Sequence, residues 1–197
     1  MTGPSLIGLT GGIAAGKSEV LRILGELGAE TISTDAVVHE LLGADEVRAV
    51  LVERWGEAVA PDGSVDRGKV AGIVFERPEE LAWLESQLHP RVGGRLMEWR
   101  RTLPDDASVA VVEVPLLFEG TLANTFDATI SVSADDDERR NRATARGTGE
   151  LEARSGRQLT QDEKNARATH VVTNDGSLED LEASLRDLLP ALAAAGK

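Results

Sequence analysis

The residues of this chain best suited to chemistry stand between Gly11 and Ser18, in the run GLTGGIAAGKSEV that begins at Gly8. Gly11, Gly16, Lys17 and Ser18 satisfy the pattern G-x-x-x-x-G-K-[ST], whose glycines let successive backbone N–H groups converge on an anion. The preceding SLIGLT, Ser5 to Thr10, is short, apolar and ended by glycine, as a buried strand is. From Lys17 to Leu27 the apolar residues Val20, Leu21, Ile23, Leu24 and Leu27 recur at helical spacing, with Gly28 as the stop. A strand feeding a helix through this loop aims the positive end of the helix dipole at the anion. The Lys17 ammonium can then reach the β- and γ-phosphates of a nucleoside triphosphate, and the Ser18 hydroxyl can complete a Mg2+ shell. Gly11, Gly12, Ile13, Ala14, Ala15, Gly16, Lys17 and Ser18 are therefore the expected phosphate cradle of a nucleoside triphosphate.

Such a loop holds a triphosphate without saying whether it reacts. Ala29 to Ser33 reads as a second strand, and Asp35 lies at its exit. In an open parallel sheet the strand ends line the ligand crevice. A carboxylate there can orient an acceptor hydroxyl and take its proton. It can equally cap or open the helix AVVHELL. Further along, Arg139, Arg140, Arg142, Arg146, Arg154 and Arg157 crowd one stretch of an otherwise acidic chain, extended by Lys164 and Arg167. The acids Asp135, Asp136, Asp137 and Glu138 balance most of them as a solvated helix face, and Arg139 and Arg140 need do nothing more. Arg142 and Arg146, four residues apart, share one face of a helix. Folded over a transferring phosphoryl group, they would stabilise the charge on its equatorial oxygens. They are the main candidates for that clamp, with Arg154 a further one.

The elements that must position these residues follow from composition and pattern. The 197 residues carry 41% hydrophobic content, a net charge of −13 and no cysteine. Disulfides, thiolate metal sites and cysteine nucleophiles are excluded together. The acidic balance argues against a broad nucleic-acid surface. No apolar run reaches the roughly 20 residues of a membrane span, and the first residues lack the basic region of a signal peptide. The expectation is a cytoplasmic protein with no nucleic-acid and no membrane partner. Strand patterns recur at Ser108–Val114, Asp127–Ser133 and Thr169–Thr173, whereas residues 43–103 read as helical throughout. A closing amphipathic helix runs from Ser177 to Ala193, with Pro190 signalling a late kink or break. Strands alternating with helices imply an α/β fold, an open parallel sheet covered on both faces. The expected division is a core of 1–42, 104–134 and 168–197, a helical insertion at 43–103 and a lid at 135–167.

LIGLTGGIAAGKSEV, TDAVVHELL, DGSVDRGKVAGIVF, LHPRV, VEVPLLFE and NDGSLEDL follow one another in the order and spacing of bacterial dephospho-CoA kinases. The chain resembles that family over nearly its whole length. The resemblance implies transfer of the ATP γ-phosphate to the ribose 3′-hydroxyl of dephospho-CoA, with Mg2+. It also implies a three-layer αβα phosphate-loop fold like that of nucleoside monophosphate kinases, with about five parallel strands, a helical acceptor-binding insertion and an arginine-bearing lid. Asp35 matches the family's catalytic aspartate. Thr10 and Gly11 match the approach to the phosphate loop. Arg67 of VDRGKV and His89 of LHPRV match its acceptor-binding region, and Arg142 and Arg146 its R-x-x-x-R lid element. Asn174 lies in the loop that passes the adenine ring. Glu113 stands before VPLL where many members have Asp, so that any bond to Mg2+ would run through water. Ala15 and Ser33 also depart from common family residues. The expected partners are ATP and dephospho-CoA, bound by a monomer or weak homo-oligomer. Two alternatives stand beside this reading: another small-molecule or nucleoside kinase of the same fold, and a non-catalytic nucleotide sensor. A sensor needs neither an acceptor base nor an acceptor pocket, so Asp35 and Arg67 discriminate.

Overall fold

Strands form where successive side chains are buried on alternate faces. The computed structural model describes residues 3–120, 122–145 and 158–196. It contains one all-parallel sheet of five strands: β1 Ser5–Gly11, β2 Glu30–Ser33, β3 Val109–Glu113, β4 Ala128–Ser133 and β5 His170–Thr173. Their order is β2-β3-β1-β4-β5. β1 is therefore central, with Leu9 paired to Glu113 of β3 and Gly11 to Val132 of β4. The loop leaving β1 emerges between the ends of both neighbours.

The helices are α1 Lys17–Glu26, α2 Thr34–Gly43, α3 Asp45–Trp55, α4 Arg67–Glu76, α5 Pro78–Thr102, α6 Asp136–Ala145, α7 Gln161–Arg167 and α8 Leu178–Ala194. The chain divides into two compact units, Met1–Ser33 with Leu103–Lys197, and Thr34–Thr102. In the first, the period-2 alternation of the strands sorts the two faces of the sheet. Ile7, Leu9, Val109, Val111, Ile130 and Val132 pack with Val20, Ile23 and Leu24 of α1 and Leu181, Leu185 and Leu192 of α8 in one buried cluster. On β4 the intervening residues are polar and meet α7 and its exit. Thr129 exchanges hydrogen bonds with Thr169, and Asn165 bonds both Ser131 and Ser133. This is the αβα fold.

The second unit is helical among its described residues, with Trp55 and Trp83 edge-to-face at 5.1 Å. Glu80 joins α5 to α3 by accepting from Arg54 Nη2 at 3.0 Å and Trp55 Nε1 at 2.8 Å. The Arg54 guanidinium, then the indole N–H, holds the Glu80 carboxyl below its ordinary range.

Two prolines do not break their helices. α8 continues through Pro190 to Ala194, so of the kink or break that the sequence suggests there, the break does not occur. The residues beyond that proline, Leu192, Ala193 and Ala195, pack on the sheet cluster, and burial offsets the lost backbone bond. α5 likewise runs unbroken through Pro90, in keeping with the helical pattern read across residues 43–103. There the Arg91 guanidinium donates to the Gln87 carbonyl at 2.6 Å in the interrupted turn. Among the described residues no helix is long and apolar enough to cross a membrane.

Candidate active site

The phosphate loop occupies the end of the central strand. The Gly16 backbone, at φ 99°, is left-handed and directly precedes α1. An added Cβ would stand 2.1 Å from Asn174 Nδ2, which donates to the Ala15 carbonyl at 2.9 Å. Gly16→Ala is thus expected to lower stability by roughly 1–2 kcal/mol for the backbone alone, and further as the Asn174 amide is displaced. Urea unfolding of the two proteins measures it. Ala14 also adopts a left-handed conformation, φ 57°, a strained position of the kind that gathers at ligand clamps. Among the described residues no acceptor meets the N–H of Ile13 or Ala14. Lys17 curls into the loop, its Nζ donating to the carbonyls of Gly12 at 3.0 Å and Gly11 at 3.3 Å. The ammonium thus lies against the loop that its charge would serve.

Two guanidinium groups of α6 stand over this loop. Arg142 donates through Nη2 to the Asn174 carbonyl at 3.1 Å, lies 3.6 Å from the Glu138 carboxylate, and has Nη1 3.8 Å from the place of a Gly16 Cβ. Arg139 pairs with Asp136 at 2.9 Å, and its Nη1 is 2.6 Å from the place of a Gly12 Cβ. Its Nε is buried with no hydrogen-bond partner among the described residues. Sequence reading sets Arg139 aside as a partner of the acids. The structure keeps that pairing and also lays the side chain against the loop. Its spacing of three residues from Arg142 is the signal that points to it, since both then share one helix face. Arg140 pairs with Asp137 and is 70% exposed. Arg146, Arg154 and Arg157 lie outside the described residues.

Asn174 is buried and joins these parts. Its N–H donates to Ser133, its carbonyl accepts from Arg142 and its side chain bonds Ala15. The N–H and the side chain tie the phosphate loop to the end of β4, and the carbonyl ties Arg142 of α6 to the same residue. The sequence reading of Lys164 as part of a solvated basic stretch is corrected here. Its side chain is fully buried, because Pro115 and Glu119 offer it oxygens inside the fold.

In the helical unit, α2 opens at Thr34, so Asp35 is its second residue and lies within the first turn instead of at the cap. The side chain is exposed. His39, one helical turn on, shares that face. Arg67 heads α4, where the Asp66 side chain caps the helix through the Gly68 and Lys69 N–H groups. The Arg67 guanidinium lies 2.7 Å from His39 Nδ1. An arginine only donates, so in this contact Nδ1 is the accepting atom. His39 escapes sequence reasoning as a site residue, since nothing in its spacing alone shows that Arg67 meets it. His89 is exposed on α5 and has no hydrogen bond or ion pair among the described residues.

For a divalent cation the donors are oxygens. Ser18 is exposed in the first turn of α1, and Glu113 is a buried carboxylate at the end of β3. Among the described residues no three His, Cys, Asp or Glu side chains cluster. A hydroxyl and a carboxylate fit a hard ion that brings its remaining ligands with a nucleotide's phosphates, as Mg2+ does.

Comparisons with known proteins show which family the sequence and the fold resemble. The dephospho-CoA kinase family profile matches residues 5–180. A dephospho-CoA kinase of Streptomyces avermitilis is 42% identical, covering 92% of this chain and 91% of its own. One from Protochlamydia amoebophila is 37% identical, over 94% and 95%. A crystal structure from Thermus thermophilus superposes with a TM-score of 0.84 at 37% identity, covering 96% of this chain and 98% of the other. A profile match over most of the chain and relatives at 37% and 42% identity show the family: the chain belongs to the dephospho-CoA kinases.

Proposed function

We propose that this chain carries out its family's reaction with a division of labour set by its own residues. The observation that carries the reading is the phosphate loop itself, with Lys17 curled inside it and Arg139 and Arg142 laid against Gly12 and Gly16. ATP is the donor, its phosphates taken by the Gly11–Ser18 loop. Mg2+ would be held by Ser18 and, through water, by Glu113, and would supply charge that neutralises the nucleotide's phosphates. Asp35 accepts the proton of the dephospho-CoA ribose 3′-hydroxyl. The freed oxygen forms a bond to the γ-phosphorus as the bond from that phosphorus to the β–γ bridging oxygen breaks, releasing CoA and ADP. Lys17 and the loop N–H groups stabilise the charge left on ADP. Arg67, its geometry fixed by His39, offers a guanidinium to the anionic acceptor, and His89 belongs to the same acceptor-binding region. The backbone after Asn174 borders the adenine.

Phosphorus NMR of the product tests this. The new phosphate is expected as a monoester on the 3′-oxygen, and a product phosphorylated elsewhere contradicts it. Arg142→Ala is expected to cut kcat by about 10²-fold, the size of losing one transition-state donor. Arg140→Ala, which removes only an exposed pair with Asp137, leaves it unchanged. Steady-state rates of the two variants make the comparison, and equal rates would remove Arg142 from the clamp.

A further inference from the structure

We infer that Lys164 is a positioning residue for phosphoryl transfer, holding both the approach to the phosphate loop and the loop's flank; the inference rests on the kinase reading above. Lys164 is among the largest fully buried side chains of the protein. Its Nζ donates to the Pro115 carbonyl at 2.6 Å and pairs with Glu119 Oε1 at 3.0 Å. Each of these oxygens has a second partner that leads to the site. The Pro115 carbonyl also accepts from Thr10 Oγ1 at 3.1 Å, and Thr10 immediately precedes Gly11. Glu119 Oε1 also accepts from the Leu159 N–H at 3.0 Å. Leu159 and Thr160 line, with Gly12, Ile13 and Arg139, a cleft beside the loop. Two walls of one site thus hang on one ammonium.

The surroundings leave the pair little freedom. Glu119 Oε2 takes the Phe118 N–H at 3.1 Å, and Arg167 donates to the Phe118 carbonyl at 3.1 Å. On α7, Gln161, Lys164 and Asn165 fall at i, i+3 and i+4 and all turn inward. Gln161 bonds both the N–H and the carbonyl of Ala134, and Asn165 bonds the serines of β4. This short helix is thus fastened by directed polar bonds at each inward position. Stability alone does not require an ion pair here, because apolar groups of similar volume commonly replace a buried pair without loss. An apolar contact could not set the direction of the Pro115 carbonyl or keep Glu119 turned to Leu159, whereas an ammonium with three donors does both.

The test uses the full chain with Lys164→Met and with Lys164→Met/Glu119→Gln, which leaves no buried charge should the single variant fail to fold. In folded protein, kcat with dephospho-CoA is expected to fall by about 10–10²-fold, the scale of misplacing reacting groups by an ångström. KM for ATP changes by less than about threefold, since the phosphate-binding groups themselves remain. Hydrogen exchange at the Leu159 and Phe118 amides rises by at least about tenfold while β4 amides keep their protection. A merely structural residue would lower the melting temperature and leave both the kcat of the folded protein and those amides as they were. Either a kcat within about threefold of the parent or unchanged exchange at Leu159 overturns the inference. Absence of turnover in the parent protein would instead refute the kinase reading, and exchange at Leu159 would still decide the anchoring.

Discussion

Asp35→Asn is expected to lower kcat by about 10²–10⁴-fold, the contribution of a general base, or about 2.7–5.4 kcal/mol of barrier. Binding of ATP is expected to stay as it was, because the side chain belongs to α2 and not to the loop proposed to take the phosphates. Folding should be nearly unaffected. Asp35 is exposed in a first helical turn, where a negative charge contributes about 0.3–1 kcal/mol with the dipole. That difference in size separates the roles. If Asp35 only opened α2, the variant would lose a little stability and keep its rate. A nucleotide sensor, having no acceptor to deprotonate, would likewise show no change in ADP release. Rates at saturating ATP and dephospho-CoA, beside a melting curve, decide between these outcomes.

Lys17→Ala has the other large effect, and its signature differs. The ammonium lies against the carbonyls of Gly11 and Gly12, inside the loop's curve. Loss of a charged donor at developing negative charge costs about 10²–10³-fold in kcat. Because the same ammonium also attracts the ground-state phosphates, KM for ATP should rise together with the fall in kcat. Lys17→Arg should restore little, since a planar fork cannot replace a compact ammonium within so tight a turn. Titration with nucleotide and initial-rate kinetics provide the two measurements. An unchanged KM for ATP in Lys17→Ala would separate Lys17 from the phosphates.

The two signatures rest on features of unequal visibility in the sequence. The strand, loop and helix from Ser5 to Glu26 could be read directly, because glycine spacing and apolar periodicity are local properties. The buried run of β3 was legible for the same reason. Pro190 misled as the sign of a break, since its cost is local whereas the packing that outweighs it comes from tertiary contacts. Arg139 and Arg140 are neighbours of the same composition, yet only the first lies against Gly12. Helix phase separates them, and the acids beside both disguise it. Lys164 was hidden more deeply. A lysine in a charged stretch looks solvated until the fold brings Pro115 and Glu119 to it from almost fifty residues away. The meeting of Arg67 with His39, 28 residues apart, is of the same long-range kind. Ala14 could not be foreseen as the left-handed residue of the loop, because the sequence offers four glycines nearby that take that conformation at less cost.

The central claim is that the loop, Asp35 and the arginines serve one transfer to dephospho-CoA. Its most direct test is ADP release by the purified protein with ATP and Mg2+, comparing dephospho-CoA with adenosine, AMP and pantetheine phosphate as acceptors. Strong release is predicted with dephospho-CoA alone, falling to background in Asp35→Asn. Turnover with a nucleoside or nucleotide acceptor in preference to dephospho-CoA would contradict the account.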